Sequence, residues 1–255
     1  MIRQSFAWWS FAPDRDDVAA LASSAASIGF AGVELAPSEL EPTLRDAGLT
    51  IVTRSAHPID GGFADRTLHS RLTDDVGGQI EKASADGVPM LIVFAGRQDG
   101  RSDDEGIDAT STALAPLGEI AEHAGVTLLL EVLNRRDHPD HQCDRAGWAA
   151  EVVRRCNTPG LRMLFDVYHV QMGEGNVIAR FREHHATVGH VHTAGVPGRR
   201  DLDSDQELNY PAIFRAIAAT EYDGWIGHEL TPRADPVACL ASTFELTRAA
   251  LEPDT

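Results

Sequence analysis

Four apolar runs in the second half of the chain stop on a side chain that can bind a cation: LLLE at Glu131, LFD at Asp166, GHVH at His192 and WIGHE at Glu229. A charge at the end of one strand is an ordinary transition into a loop. Four in succession form a pattern, because Asp and Glu are seldom buried unless paired. Three carboxylates brought together without a cation repel one another and raise one another's pKa. A divalent metal removes that conflict, so these residues predict a metal site made of Glu131, Asp166, His192 and Glu229. Three carboxylates and one imidazole are an oxygen-rich, fairly hard donor set, suited to one Mn²⁺, Mg²⁺ or Co²⁺ ion rather than to structural zinc. The remaining coordination positions are open to substrate oxygens.

Composition removes several other chemistries. Lys82 is the one lysine among 22 basic residues, and GGQIEKASADG reads as the end of a helix, where lysine projects into solvent. Schiff-base and pyridoxal phosphate chemistry both require a buried lysine. Cys143, Cys156 and Cys239 show no CxxC spacing and read as free thiols in a reducing compartment. A formal net charge of −17 lacks the basic footprint that nucleic acid demands. The start, MIRQSFAWWSF, has no long apolar core of a signal peptide, and no stretch approaches the ~18 apolar residues of a membrane span. A cytoplasmic protein without a membrane partner is expected.

For the four side chains to meet, the elements carrying them must lie side by side. Short apolar runs alternate with longer amphipathic stretches throughout the chain. The strand candidates are RQSFAW (3–8), AGVEL (31–35), LTIVTR (49–54), VPMLIVF (88–94), VTLLLEV (126–132), LRMLFDV (161–167), TVGHVH (187–192) and GWIGHEL (224–230). DDVAALASSAASIG, DATSTALAPLGEIAEHAG and RAGWAAEVVRRC are the clearest helices, with Pro116 expected to kink or interrupt the second. Gly or Pro stands just before most of the strands, where a helix ends and the chain turns. The alternation predicts a parallel sheet. Eight rounds in 255 residues predict an α/β fold of the (β/α)₈ TIM barrel type, in a single domain spanning residues 1–255. A doubly wound sheet lacks its signature, since no GxGxxG follows the first strand. Barrel enzymes place their sites at the carboxyl ends of the strands, which is where the four residues fall.

EVLNRRD, FDVYHVQ, GHVHTAGVPGR, QELNYP and DGWIGHEL resemble motifs of the hydroxypyruvate isomerase branch of the xylose-isomerase-like barrel superfamily, which is similar in architecture to the ketose 3-epimerases. The likeness is close over residues 125–231 and broad elsewhere, chiefly in the GVEL strand. It places the family's metal ligands on Glu131, Asp166, His192 and Glu229. At His192 the isomerase branch often carries Gln, so this position is similar to the epimerases, and HPIDGGF (57–63) also departs from that branch. The resemblance implies a metal-dependent isomerase of a small hydroxy-keto sugar acid (hydroxypyruvate, tartronate-semialdehyde or 2-oxo-tetronate type) working through an enediolate. A metal chelating the carbonyl and its neighbouring hydroxyl stabilises that charge, and Glu131 and Glu229 remove and return the proton. A ketose 3-epimerase or polyol dehydratase would use the same ligands. A non-catalytic sugar-binding barrel is the reading outside enzymes. Apurinic endonucleases of this fold gather several zinc ions on many more His and Asp ligands.

Substrate contacts are expected from further residues. His169, in DVYH, is placed to hydrogen-bond a substrate oxygen. Arg199, in VPGR after the seventh strand, is expected to anchor a carboxylate or hydroxyl. His190 shares the face of His192 and reads either as a substrate contact or as a hydrogen-bonded core histidine. Glu34, closing the second strand, and His57, just past the third, are further candidates. Trp8 and Trp9 point oppositely if the first strand continues, with Trp8 the candidate pocket wall. The partner is a small carbohydrate or sugar acid, and a homo-oligomer is left open.

Overall fold

Eight parallel strands close into a barrel in chain order in the computed structural model, which describes residues 2–12 and 16–252. They are β1 (Arg3–Ala7), β2 (Gly32–Glu34), β3 (Thr50–Ser55), β4 (Met90–Val93), β5 (Thr127–Glu131), β6 (Leu161–Asp166), β7 (Val188–Thr193) and β8 (Trp225–His228). Pairing of β1 with β8 completes the ring. Every expected strand is present. Around them lie α1 (Trp8–Phe11), α2 (Val18–Ile28), α3 (Glu41–Asp46), α4 (His69–Asp86), α5 (Asp103–His123), α6 (Ala146–Cys156), α7 (Val167–Gly173), α8 (Val177–His184), α9 (Tyr210–Ala218) and α10 (Pro236–Leu251). Among the described residues, no helix is long and apolar enough to cross a membrane.

Strand alternation sorts the side chains into two cores. Leu128, Leu130, Met163, Phe165, Val191 and Ile226 point outward and pack under the helices. Val52, Met90, Ile92, Leu129, Leu164 and Trp225 fill the barrel's interior. Each such side chain, once fully removed from water, contributes roughly 1.5–3 kcal/mol, which offsets the cost of a polar layer stacked on the inner core. Two residues beyond Leu129 and Leu164 on the same inner face come Glu131 and Asp166. Between β6 and β7 the register passes over Gly189, so His190 sits opposite Leu164 and His192 opposite Asp166.

Pro116 does not interrupt the helix: α5 runs from Asp103 to His123. Its start is a capping box, with the Ser102 side chain accepting from the Glu105 N–H and Glu105 from the Ser102 N–H. Leu114, Leu117 and Ala121 are buried on either side of the proline and hold both halves of the helix against the barrel. Lys82 lies on the surface, paired with Asp86 at 2.8 Å, so it is unsuited to Schiff-base chemistry.

In the polar layer Gly227 is required for space. A Cβ there would meet Glu34 Oε1 and His192 Cδ2, and Glu34 is fully buried with no room to retreat. Gly227→Ala is therefore expected to destabilise the fold by roughly 1–3 kcal/mol, the usual cost of overpacking. Urea denaturation reads this directly, and an unchanged midpoint would show that the layer has slack.

Candidate metal centre and cavity

Asp166 ends β6 and also caps α7. Its Oδ1 accepts the backbone N–H groups of Tyr168 (2.7 Å) and His169 (3.1 Å), the ordinary work of an N-cap aspartate. The cap turns Oδ2 toward Arg199 Nη2, 3.0 Å away. Glu229 follows β8; its Oε1 accepts from the Trp9 indole N–H at 2.7 Å and its Oε2 from Arg199 Nη2 at 2.5 Å. Glu131 accepts no hydrogen bond from the described residues, and its nearest cationic neighbour is His192 Nδ1 at 3.9 Å. One ligand atom each from Glu131, Asp166, His192 and Glu229 lie within 4.8 Å of one another.

His192 is oriented from behind. Its Nε2 donates to Glu34 Oε2 at 3.0 Å, which leaves Nδ1 turned toward the three carboxylates. Nδ1 is buried and makes no hydrogen bond, although Glu229 Oε2 is 3.2 Å away. An orphaned imidazole nitrogen facing three carboxylates is the arrangement a divalent cation satisfies, and a carboxylate behind the histidine is the usual support for such a ligand. The donors present therefore fit the metal expected from their types.

Charge in this layer is unevenly held. Burial, reinforced by Glu229, pushes Glu131 up to about 8. Burial also raises Asp166, against the pull of Arg199. Burial acts the same way on Glu229, but Arg199 and His192 outweigh it and hold this carboxyl well below its ordinary range. For His192, burial favours the neutral ring, yet Glu229 and Glu34 together push its pKa well up.

The carboxylates open onto a cavity of about 280 Å³ lined by Glu131, Glu229, His169, Arg199, Trp9, His57 and His138, with Leu35, Ile92, Phe94 and Leu133 as apolar wall. Arg199 is fixed through its backbone. It has φ of 56°, the left-handed region that a non-glycine residue enters at a cost. Gly195 and Arg200 exchange backbone hydrogen bonds of 2.7 and 3.1 Å across that loop, and the Thr231 N–H donates to the Arg199 carbonyl at 2.7 Å. The guanidinium lies over the Tyr168 ring, 5.0 Å from its centroid.

Four of the expected substrate contacts are placed differently. Trp8 is 2% exposed and packs in the core beside Phe6, whereas Trp9 lines the cavity. The strand ends at Ala7 and the chain turns into α1, so alternation no longer decides which tryptophan faces inward. Glu34 is fully buried beneath the cluster, its oxygens taken by Ser5, Thr53, His190 and His192. His190 is likewise buried against Glu34, the core reading of that residue. His57 reaches the cavity, but its Nδ1 donates to the Pro58 carbonyl (2.9 Å) and its Nε2 accepts from the Phe94 N–H (3.2 Å). No nitrogen of His57 remains for a ligand. His138, absent from the expected set, joins the lining with its ring 5.4 Å from that of His169; no periodicity marks such a position.

The model of the xylose isomerase-like TIM barrel family matches residues 22–247. The 2-oxo-tetronate isomerase of Cupriavidus necator is 34% identical over 231 residues, 86% of this chain and 88% of that protein. The putative hydroxypyruvate isomerase of Homo sapiens is 31% identical over 252 residues, 91% of this chain and 90% of that protein. A solved structure described as AP endonuclease, family 2, from Brucella melitensis superposes with a TM-score of 0.85 at 26% identity, covering 95% of this chain and 98% of that one.

Because Asp166 caps α7 and also belongs to the candidate metal cluster, its substitutions can separate folding from metal binding. Asp166→Asn retains an oxygen for the α7 cap and is expected to fold normally, while Mn²⁺ affinity falls on the order of 10-fold or more, at least the loss seen when support for a ligand is removed. Asp166→Ala loses the cap as well and is expected to cost about 1 kcal/mol of stability in addition. Calorimetric Mn²⁺ titration and urea melts of both variants check this; unchanged affinity in Asp166→Asn would remove Asp166 from the ligand set.

Proposed function

The chain belongs to the xylose isomerase-like TIM barrel family, and on that premise we propose that it is a divalent-metal-dependent isomerase of a small hydroxy-keto sugar acid, of the hydroxypyruvate, tartronate-semialdehyde or 2-oxo-tetronate type. The observation that carries this reading is the convergence of Glu131, Glu229 and Arg199 on one small cavity. Two carboxylates from β5 and from the end of β8 serve proton transfer, and a guanidinium beside them serves a substrate carboxylate. A cavity of about 280 Å³ is just below the roughly 300–1,000 Å³ of ordinary ligand sites, which favours a substrate of few carbons. Relatives of similar length are named 2-oxo-tetronate isomerase and putative hydroxypyruvate isomerase, which supports this substrate class.

Glu131, Asp166, His192 and Glu229 would hold Mn²⁺, Mg²⁺ or Co²⁺, which when bound supplies Lewis-acid stabilisation of enediolate charge. Glu229, held ionised by Arg199 and Trp9, takes the proton from the carbon beside the carbonyl. Glu131, which accepts no hydrogen bond from the described residues, lies on the same cavity to deliver a proton to the former carbonyl carbon, while the hydroxyl proton passes to the former carbonyl oxygen. Leu35, Ile92, Phe94 and Leu133 keep water from the reacting carbons. His169 and Arg199 bind the substrate oxygens and fix which carbon faces the glutamates.

A ketose 3-epimerase is the second reading, favoured by the histidine rather than glutamine at ligand position 192. A multi-metal nuclease is not supported: both nitrogens of His57 are committed to backbone, and the second acidic–histidine group, Glu34 with His190 and His192, is internally satisfied apart from its Nδ1 atoms.

The test is proton exchange from D₂O by metal-loaded protein offered hydroxypyruvate, 2-oxo-tetronate or a ketohexose. Exchange on a sugar acid that is lost on chelation and restored by Mn²⁺, Mg²⁺ or Co²⁺ is expected. Exchange confined to the ketohexose would move the protein to the epimerase reading, and full activity in protein shown metal-free by elemental analysis would overturn the metal dependence. Glu131→Gln and Glu229→Gln are each expected to lose on the order of 10²-fold or more in kcat, the scale of general-base removal.

Arg199→Lys keeps the charge but not the two-pronged donor. It is expected to lose about 10-fold or more in kcat/KM on a sugar acid and clearly less on a neutral ketose. Equal losses on both would remove the carboxylate anchor from this account.

A further inference from the structure

Asn134 lies in the loop after β5, fully buried, and takes no part in the ligand set. Its Oδ1 accepts the backbone N–H groups of Arg136 (2.9 Å) and Asp137 (3.0 Å). Those two donors settle which end of the amide is oxygen. Nδ2 must then donate, and it does so to Asp137 Oδ2 at 3.1 Å and to His169 Nδ1 at 2.6 Å. The backbone N–H of Asn134 converges on the same His169 Nδ1 at 3.1 Å. Asp137 is held in place by the Tyr168 hydroxyl, which donates to Oδ2 at 2.8 Å.

Two donors aimed at His169 Nδ1 leave no acceptor for a proton on that atom. The ring is fully buried, so water does not supply one. We propose that Asn134 is a positioning residue that keeps the His169 proton on Nε2, so that His169 and Arg199 present a paired donor to an acceptor group of the substrate. Nε2 lies 3.3 Å from Arg199 Nη1. With a proton on Nε2, that contact is two donors side by side rather than a hydrogen bond between them. Asp166 Oδ2, 3.8 Å from Nε2, is too far to accept that proton, so both donors are left for a third party carrying lone pairs, and two neighbouring oxygens of one carboxylate meet that need. The donor role rests on the isomerase reading above, whereas the position of the proton does not.

Long-range ¹⁵N–¹H correlation spectra of histidine-labelled protein, metal-free and with diamagnetic Mg²⁺, read the tautomer of His169 directly. The expected wild-type pattern has an unprotonated Nδ1 and a protonated Nε2; a protonated Nδ1 would overturn the proposal without any variant being made. Asn134→Asp replaces the donating NH₂ by an acceptor and is expected to draw a proton onto Nδ1. It is also expected to lower kcat/KM about 10-fold, the scale of one hydrogen bond, with Mn²⁺ affinity retained.

In a His169→Gln background the side-chain amide donates regardless of tautomer, so Asn134→Asp is expected to cost little there. Additive losses in that cycle, or an Asn134→Asp enzyme with a shifted proton and unchanged kcat/KM, would also overturn the proposal. Failure of the isomerase reading looks different: an inactive wild type whose His169 spectrum still shows the expected tautomer.

Discussion

Removing carboxylates from water costs several kcal/mol per ion unless charge or hydrogen bonds replace the lost solvent. This barrel buries Glu34, Glu131, Asp166 and Glu229 within one layer at the strand ends, and much else in the molecule answers that demand. His192 lies between Glu34 and Glu229, and Arg199 spans Asp166 and Glu229. The left-handed backbone at Arg199 is what brings a loop residue far enough inward to do so. The absence of a side chain at Gly227 leaves room for Glu34 and His192 together. Glu131 is the member least well compensated, since it accepts no hydrogen bond from the described residues and its nearest imidazole nitrogen is 3.9 Å away.

Architecture was legible because it rests on signals that repeat. Apolar runs of strand length marked all eight strands, most of them preceded by glycine or proline, and one inward-facing residue at each of the last four strand ends selected the four side chains that the fold brings together. Legibility ended where the answer depended on atoms far apart in sequence. Glu34 reads as a strand-end charge until Ser5, Thr53 and two histidines are seen around it. His57 looks like any pocket histidine until the Phe94 N–H and the Pro58 carbonyl occupy its nitrogens. Alternation could not choose between Trp8 and Trp9 because the strand stops one residue earlier. Asn134 carried no signal, since an asparagine in a loop has many ordinary uses and only its partners reveal this one.

The site divides into two halves with different supports. The carboxylates stand at strand ends and are buried with the barrel. His169 and Arg199 belong to the segments that follow β6 and β7, held by a helix cap, an Asx-type turn and a strained loop. Such an arrangement lets the loops of a barrel vary while the strand-end cluster stays where the sheet puts it.

Trp9 links these centres to something measurable by light. Trp8, Trp148 and Trp225 are all at most 4% exposed, while Trp9 is 41% exposed and bonded through its indole N–H to Glu229. Three fluorophores thus lie in the interior, and the fourth touches a carboxylate whose surroundings would change with a bound cation or acid. The emission of Trp9 would then serve as an intrinsic gauge of occupancy in unlabelled protein.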